Sequence, residues 1–250
     1  MLLVILPGLD GSGLLYQRFA AALPQDWQVQ CFSYPDSLLS YAELADWLEP
    51  QLPDQPFLLL GESFGGPLAY ELARRQPQRV LGLVLCCTFI ENPMPWAPVL
   101  WHWLRKLEFT AARRMVLLRY LLWGHEVPGL RAELDQALSM LPQASFIYRV
   151  EQVLALKAPT ARSELTMPVL YLQAAQDKLV YAHCAQAFQQ LLPQLQLFKF
   201  QCSHFLLQQQ AEKGAEVLLH WCRQHRLRDV VQPEHSAETT SYPDSISGRA

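Results

Sequence analysis

Short apolar runs alternate along this chain with longer segments in which apolar positions recur every three or four residues. The short runs are Leu2 to Leu6, Gln28 to Phe32, Phe57 to Leu60, Val80 to Cys87, Val169 to Ala174 and Leu195 to Phe200. Most are apolar at consecutive rather than alternate positions, as strands covered on both faces are. Between them, Leu15 to Leu23, Tyr41 to Gln51, Pro67 to Gln76, Tyr181 to Leu192 and Ala211 to His225 carry the helical period. This rhythm predicts an α/β protein with a mostly parallel, doubly wound sheet of about six strands.

One stretch breaks the rhythm. From Asn92 to Glu164 there is helical pattern only, interrupted by Pro93, Pro95, Pro98, Gly124, Pro128, Gly129 and Pro142. The expectation is a helical cap, residues 92–164, inserted into a core made of 1–91 and 165–228. From Asp229 onward the chain turns polar, with too little apolar surface to pack, so 229–250 is expected to be a disordered tail.

With 250 residues, 51% of them hydrophobic and 17% charged, the chain can bury one sizeable core, which favours one domain with an insertion over two equal domains. A net charge of −3 offers no basic surface large enough for nucleic acid. The six cysteines lack paired metal-ligand spacing and read as small core residues, with the adjacent Cys86 and Cys87 expected on opposite faces of a strand. The opening Met1-Leu2-Leu3-Val4-Ile5-Leu6-Pro7-Gly8 has neither a positive start nor a cleavage site. It reads as strand rather than signal peptide, so a cytoplasmic location is expected. No apolar stretch is long enough to span a bilayer.

The chemistry lies at Gly61-Glu62-Ser63-Phe64-Gly65, directly after one apolar run and directly before a helical segment. A serine on so sharp a strand-to-helix turn is a candidate nucleophile, and the positions two before and two after it must be small for the turn to close. A serine hydroxyl is a weak nucleophile at neutral pH. It needs a base to take its proton and a carboxylate to orient that base. Asp177 follows the run Val169 to Ala174, and His204 lies in the loop after the run Leu195 to Phe200, giving the order Ser63, Asp177, His204. The other histidines fall in the cap (His102, His125), in helical segments (His183, His220), near a helix end (His225) or in the tail (His235). Glu91 is a second candidate for the orienting acid, and Glu62 is expected to make a structural contact away from the path of the nucleophile.

The oxyanion formed on attack needs donors. The backbone N–H of Phe64, at the start of the helix, is one candidate. Leu9, in the glycine-rich loop Leu6-Pro7-Gly8-Leu9-Asp10-Gly11-Ser12-Gly13, is the other, with Asp10 next. This loop matches neither the dinucleotide nor the P-loop pattern, and no cofactor or metal is implied.

Together, Gly61-Glu62-Ser63-Phe64-Gly65-Gly66, Gln176-Asp177-Lys178-Leu179-Val180, Ser203-His204-Phe205 and the upstream glycine loop resemble the α/β-hydrolase superfamily over about residues 2 to 225. The opening loop read with the serine motif looks like its esterase/lipase/thioesterase-like branch, which includes plant phytyl ester synthases. The family often has His-Gly where this chain has Pro7-Gly8, which leaves the backbone role intact and removes a side chain. The chain also begins at what would be the family's third strand, so the initial hairpin looks absent.

Trp, Leu and Arg are dense in Pro95 to Leu104 and in Ala111 to Trp123, with Thr110 and Gly124 placed to cap the second of these helices. An apolar acyl-binding lid, glue between cap and core, and a transient interfacial contact with a membrane are three readings of these residues. The expected activity is hydrolysis of a small-molecule carboxylic ester or thioester with an apolar acyl group. The alternatives are acyl transfer to an alcohol by the same residues and a non-catalytic binding module on the same scaffold. Oligomeric state is left open.

Overall fold

In the computed structural model, residues 1–227 are described, and the reading of 229–250 lies outside them. Strands β1 (Leu2–Leu6), β2 (Gln28–Cys31), β3 (Phe57–Glu62), β4 (Val80–Cys86), β5 (Val169–Ala174) and β6 (Leu195–Phe200) form one sheet in the order β2-β1-β3-β4-β5-β6. Every neighbouring pair is parallel. The helices are α1 (Gln17–Ala21), α2 (Tyr41–Leu48), α3 (Gly65–Arg75), α4 (Ala97–Leu104), α5 (Ala111–Leu121), α6 (Leu130–Met140), α7 (Gln143–Ala155), α8 (Ala182–Leu191), α9 (Leu206–Gln209) and α10 (Ala211–Gln224). None of them is long and apolar enough to cross a membrane.

Strand residues divide between two cores because successive side chains point to opposite faces. Leu2, Val4 and Leu6 of β1 pack on the side of α2, α3 and α8. Leu3 and Ile5 pack on the side of α1, α9 and α10, where Trp221 is the largest buried side chain. Burial on both faces explains why the inner strands β1, β3, β4 and β5 read as nearly continuous apolar runs, while the edge strands β2 and β6 are partly exposed and carry polar residues.

Three local readings differ from the structure. The segment Leu15 to Leu23 splits into a 3-10 turn at Leu14–Tyr16 followed by the short α1. β3 runs two residues past its apolar stretch, because Gly61 and Glu62 still pair with Leu85 and Cys86 of β4. Cys86 and Cys87 pack into the same core rather than opposite ones: the strand ends at Cys86, and Cys87 takes a left-handed conformation (φ 44°) that turns its side chain back.

The break in the rhythm is helical, as expected: α4 to α7 occupy the connection between β4 and β5. Its prolines and glycines stand at helix ends, with Pro98 in the first turn of α4, left-handed Gly129 before α6 and Pro142 before α7. Thr110 caps α5 through its side chain, and Gly124, also left-handed, lies just beyond its end.

Candidate active site

The carboxyl ends of β1, β3, β5 and β6 lie along one edge of the sheet, and their following loops bring residues far apart in sequence together. Ser63 follows β3 directly with φ 49°, a left-handed conformation that costs a non-glycine residue about 1–3 kcal/mol. Two hydrogen bonds hold it there. Its N–H donates to the Cys86 carbonyl at 2.9 Å, and Thr88 Oγ1 donates to its carbonyl at 2.5 Å.

The glycines around it are required by close contact. A Cβ on Gly61 would lie 2.5 Å from the Gly65 carbonyl oxygen, and one on Gly65 would lie 2.3 Å from that of Leu6. Gly66 is tighter still, its Cβ falling 1.9 Å from Thr88 Oγ1. That last constraint is not visible in the five-residue motif.

His204 Nε2 is 3.0 Å from Ser63 Oγ, and His204 Nδ1 is 2.7 Å from Asp177 Oδ2. A carboxylate accepts, so Nδ1 is the donor and Nε2 keeps its lone pair for the serine hydroxyl. Asp177 Oδ1 accepts from the Leu179 and Val180 amides, both at 2.8 Å, which fixes its plane. Between the two sequence candidates for the orienting acid, the carboxylate in contact with His204 is that of Asp177, not of Glu91.

Burial works against a charged imidazole at His204, but the charge and hydrogen bond of Asp177, with the charge of Glu62, outweigh it and hold its pKa above the ordinary 6.5.

The glycine-rich loop after β1 is pinned from three sides. The Gly8 N–H donates to Tyr16 Oη at 3.1 Å, Tyr34 Oη donates to the Pro7 carbonyl at 2.9 Å, and Arg149 of α7 donates to the Leu9 and Asp10 carbonyls at 2.9 and 3.1 Å. Since the Gly8 carbonyl accepts from Gly11 N–H within the turn, the Leu9 N–H of the same trans peptide points the opposite way. Neither the Leu9 nor the Phe64 amide has an acceptor among the described residues, and both residues line the cavity at Ser63. Of the loop glycines, Gly8 faces Ser63 Cβ at ordinary contact distance. Gly11 serves another purpose: with φ 68°, it leaves the room that Arg149 occupies.

Glu62 is buried, as the elbow demands, and its Oε2 accepts from Tyr16 Oη at 2.6 Å and from Gln208 Nε2 at 3.3 Å. Glu62 therefore steadies the glycine loop through Tyr16. Neither its Oε1 nor Gln208 Oε1 has a hydrogen-bond partner among the described residues. Burial pushes its carboxyl from 4.5 up to about 7. An acid raised in the folded state stabilises the fold fully only below its unfolded pKa, and that contribution is lost as pH rises through the folded value. Wild type is therefore expected to lose roughly 2–3 kcal/mol more stability than Glu62→Gln between about pH 5 and pH 8, read from urea unfolding of both proteins. Parallel pH slopes would show that Glu62 titrates as an exposed carboxylate.

Tyr16, Arg149, Gln208 and Gln209, whose Oε1 accepts from Ser203 N–H at 3.0 Å, escaped the sequence reading. Each sits in an ordinary amphipathic segment with no motif around it.

The cavity at Ser63 measures about 210 Å³. Its polar groups gather at Ser63, His204, Glu62 and Asp10, while Leu117, Leu121, Leu134, Leu138, Val150 and Leu154 from the inserted helices make its apolar wall. No cluster of side chains suited to a metal ion occurs among the described residues.

The pattern of the α/β-hydrolase fold matches residues 2–114. Over 103 residues, 37% of this chain, the sequence is 35% identical to phytyl ester synthase 2, chloroplastic, of Arabidopsis thaliana. The match spans 15% of that protein's length. An esterase from Exiguobacterium antarcticum superposes with a TM-score of 0.76 at 16% identity, covering 89% of this chain and 92% of the esterase. The type II thioesterase of the borrelidin biosynthetic cluster does so with 0.67 at 22% identity, covering 88% and 91%. The chain therefore has the α/β-hydrolase fold.

Proposed function

We propose that this chain is a serine hydrolase of carboxylic esters or thioesters that carry an apolar acyl group. The observation that carries this reading is the continuous hydrogen-bonded chain from Ser63 Oγ through His204 to Asp177 at the polar end of an apolar cavity. Ser63 Oγ attacks the acyl carbonyl as His204 Nε2 takes its proton, and Asp177 stabilises the imidazolium so formed. The Leu9 and Phe64 amides receive the oxyanion. His204 then protonates the departing alkoxide or thiolate. Water, deprotonated by His204, attacks the acyl-Ser63 ester, and the acid leaves as the serine is restored. The helices of residues 92–164 act in this reading as a cap that shapes the acyl site.

The test is hydrolysis of p-nitrophenyl esters from acetate to palmitate, with mass spectrometry of the peptide labelled by a fluorophosphonate. Turnover is expected to rise from acetate to a longer acyl chain, with the label on Ser63. Best turnover on acetate and none on longer esters would overturn the apolar acyl specificity, and label elsewhere would overturn the nucleophile.

A second reading, favoured by the likeness to a phytyl ester synthase, passes the acyl group to an alcohol instead of water. The residues and the acyl-enzyme are the same, so the acceptor alone distinguishes the two. Formation of a wax-type ester when a fatty alcohol is added to the assay would select it.

A further inference from the structure

A cavity of about 210 Å³ is small beside the ~300–1,000 Å³ of ordinary ligand sites. A second space adjoins it. A second apolar groove of about 770 Å³ runs between α4 and α5 over α7, and Met94, Leu117, Leu121, Phe146, Val150 and Leu154 line both spaces. Around α4 and α5, at the groove and on the side of α4 turned away from it, the chain exposes large apolar side chains. Trp96 is 56% exposed, Val99 76%, Trp103 66%, Val116 70% and Trp123 67%. Val99 and Trp103 share a face of α4 four residues apart, as do Val116 and Tyr120 of α5, with Trp123 three residues on.

Cations sit against these rings. Lys106 Nζ lies 5.2 Å from the Trp103 ring centre, the Arg119 guanidinium carbon 6.0 Å from that of Trp123, and Lys178 Nζ 4.3 Å from that of Tyr120. Residues 97–123 contain Arg105, Lys106, Arg113, Arg114 and Arg119 against Glu108 alone, in a chain whose net charge is −3. Arg105 and Arg114 are occupied by Glu151 and Asp135. Lys106 and Arg119 have no carboxylate partner among the described residues.

We propose that the outer face of α4 and α5 docks this chain on the surface of an anionic lipid bilayer. Indole and phenol rings favour the boundary between acyl chains and headgroups, and lysine and arginine beside them reach anionic headgroups while their stems stay in the apolar layer. Against a second copy of the chain, a two-fold contact would bring Lys106 and Arg119 of one protomer close to the same cations of the other, which is unfavourable. Against a water-facing role, so many exposed large apolar side chains on two neighbouring segments exceed what a free surface ordinarily carries. For the activity proposed above, and resting on it, this position would let an apolar acyl chain pass from the bilayer along the groove to Ser63.

The test is sedimentation of the full chain carrying Ser63→Ala with vesicles of phosphatidylcholine alone or mixed with phosphatidylglycerol, so that binding is read without turnover. Binding to the mixed vesicles is expected to exceed binding to phosphatidylcholine about tenfold or more and to fall severalfold as salt rises. Lys106→Glu with Arg119→Glu should remove most of that preference. Trp103→Ala with Trp123→Ala should weaken binding to both vesicles. Far-ultraviolet circular dichroism and turnover of a short soluble ester are expected to be unchanged when these same pairs are made in the Ser63-containing protein. Equal binding to the two vesicle types, binding unaffected by the charge reversals in a folded protein, or a concentration-dependent dimer abolished by the tryptophan changes would overturn the proposal. Because the sedimentation readout needs no catalysis, loss of docking and loss of the hydrolase reading are separate results.

Discussion

Ser63→Ala is expected to lower kcat on the best p-nitrophenyl ester by about 10⁴- to 10⁶-fold with little change in KM, the scale at which removal of a nucleophile leaves only binding and oxyanion stabilisation. Ser63 Oγ is the hydroxyl that His204 Nε2 reaches, at 3.0 Å, and the left-handed backbone aims it into the apolar cavity. His204→Ala should cost nearly as much, and the double variant little more than either alone, because the two groups act on one proton. Asp177→Asn tests the third position more subtly. If the amide NH₂ faces Nδ1, that nitrogen must accept, and the proton moves to Nε2, the tautomer that cannot take a proton from serine. A loss of about 10⁴-fold is expected, with the fold intact by circular dichroism. Steady-state kinetics at saturating ester measures all four proteins. Substantial turnover by Ser63→Ala would assign the chemistry to another nucleophile.

The second large effect is on folding. Gly65→Ala is expected to destabilise the protein by more than about 3 kcal/mol or to prevent recovery of folded protein, at the upper end of what overpacking costs. The added Cβ would stand 2.3 Å from the Leu6 carbonyl oxygen and 2.7 Å from that of Pro7. Both belong to backbone, at the end of β1 and the start of the glycine loop, and backbone cannot swing aside as a side chain tip can. Yielding there would also displace Leu9, so activity should fall even in whatever fraction folds. Gly8→Ala provides the contrast. Its Cβ would meet Asp10 Oδ1 at 3.7 Å and Ser63 Cβ at 3.8 Å, ordinary contacts, and its φ is not left-handed, so the fold should tolerate it. Urea unfolding of the two variants beside wild type decides the matter. Equal midpoints for Gly65→Ala and wild type would mean that β1 and α3 are not packed this closely.

The strands and the elbow were legible because their signals are local. A strand buried on both faces must be apolar at consecutive positions, so Leu2–Leu6 and most of Val169–Ala174 announce their bounds directly. The turn at Ser63 needs small neighbours within a few residues, and Gly61 and Gly65 supply them. Asp177 and His204 could be singled out because each follows a strand in the chain order that the fold uses. The misreading of Cys87 shows where local pattern stops. An apolar run says which residues are buried, whereas the face taken by Cys87 depends on where β4 releases its last hydrogen bond and on the left-handed turn that follows.

By itself, then, the sequence determined the α/β rhythm and the helical break between β4 and β5, and it singled out Ser63, Asp177 and His204 as candidates. Only the tertiary structure decided that those three touch, that Arg149 of α7 holds the carbonyls of Leu9 and Asp10, and that Glu62, Tyr16 and Gly8 form one buried chain of hydrogen bonds. The physical reason is range. Strand period and turn sterics act between neighbours along the chain, but a hydrogen bond from α7 to the loop after β1 exists only because sheet order and helix packing set those segments side by side.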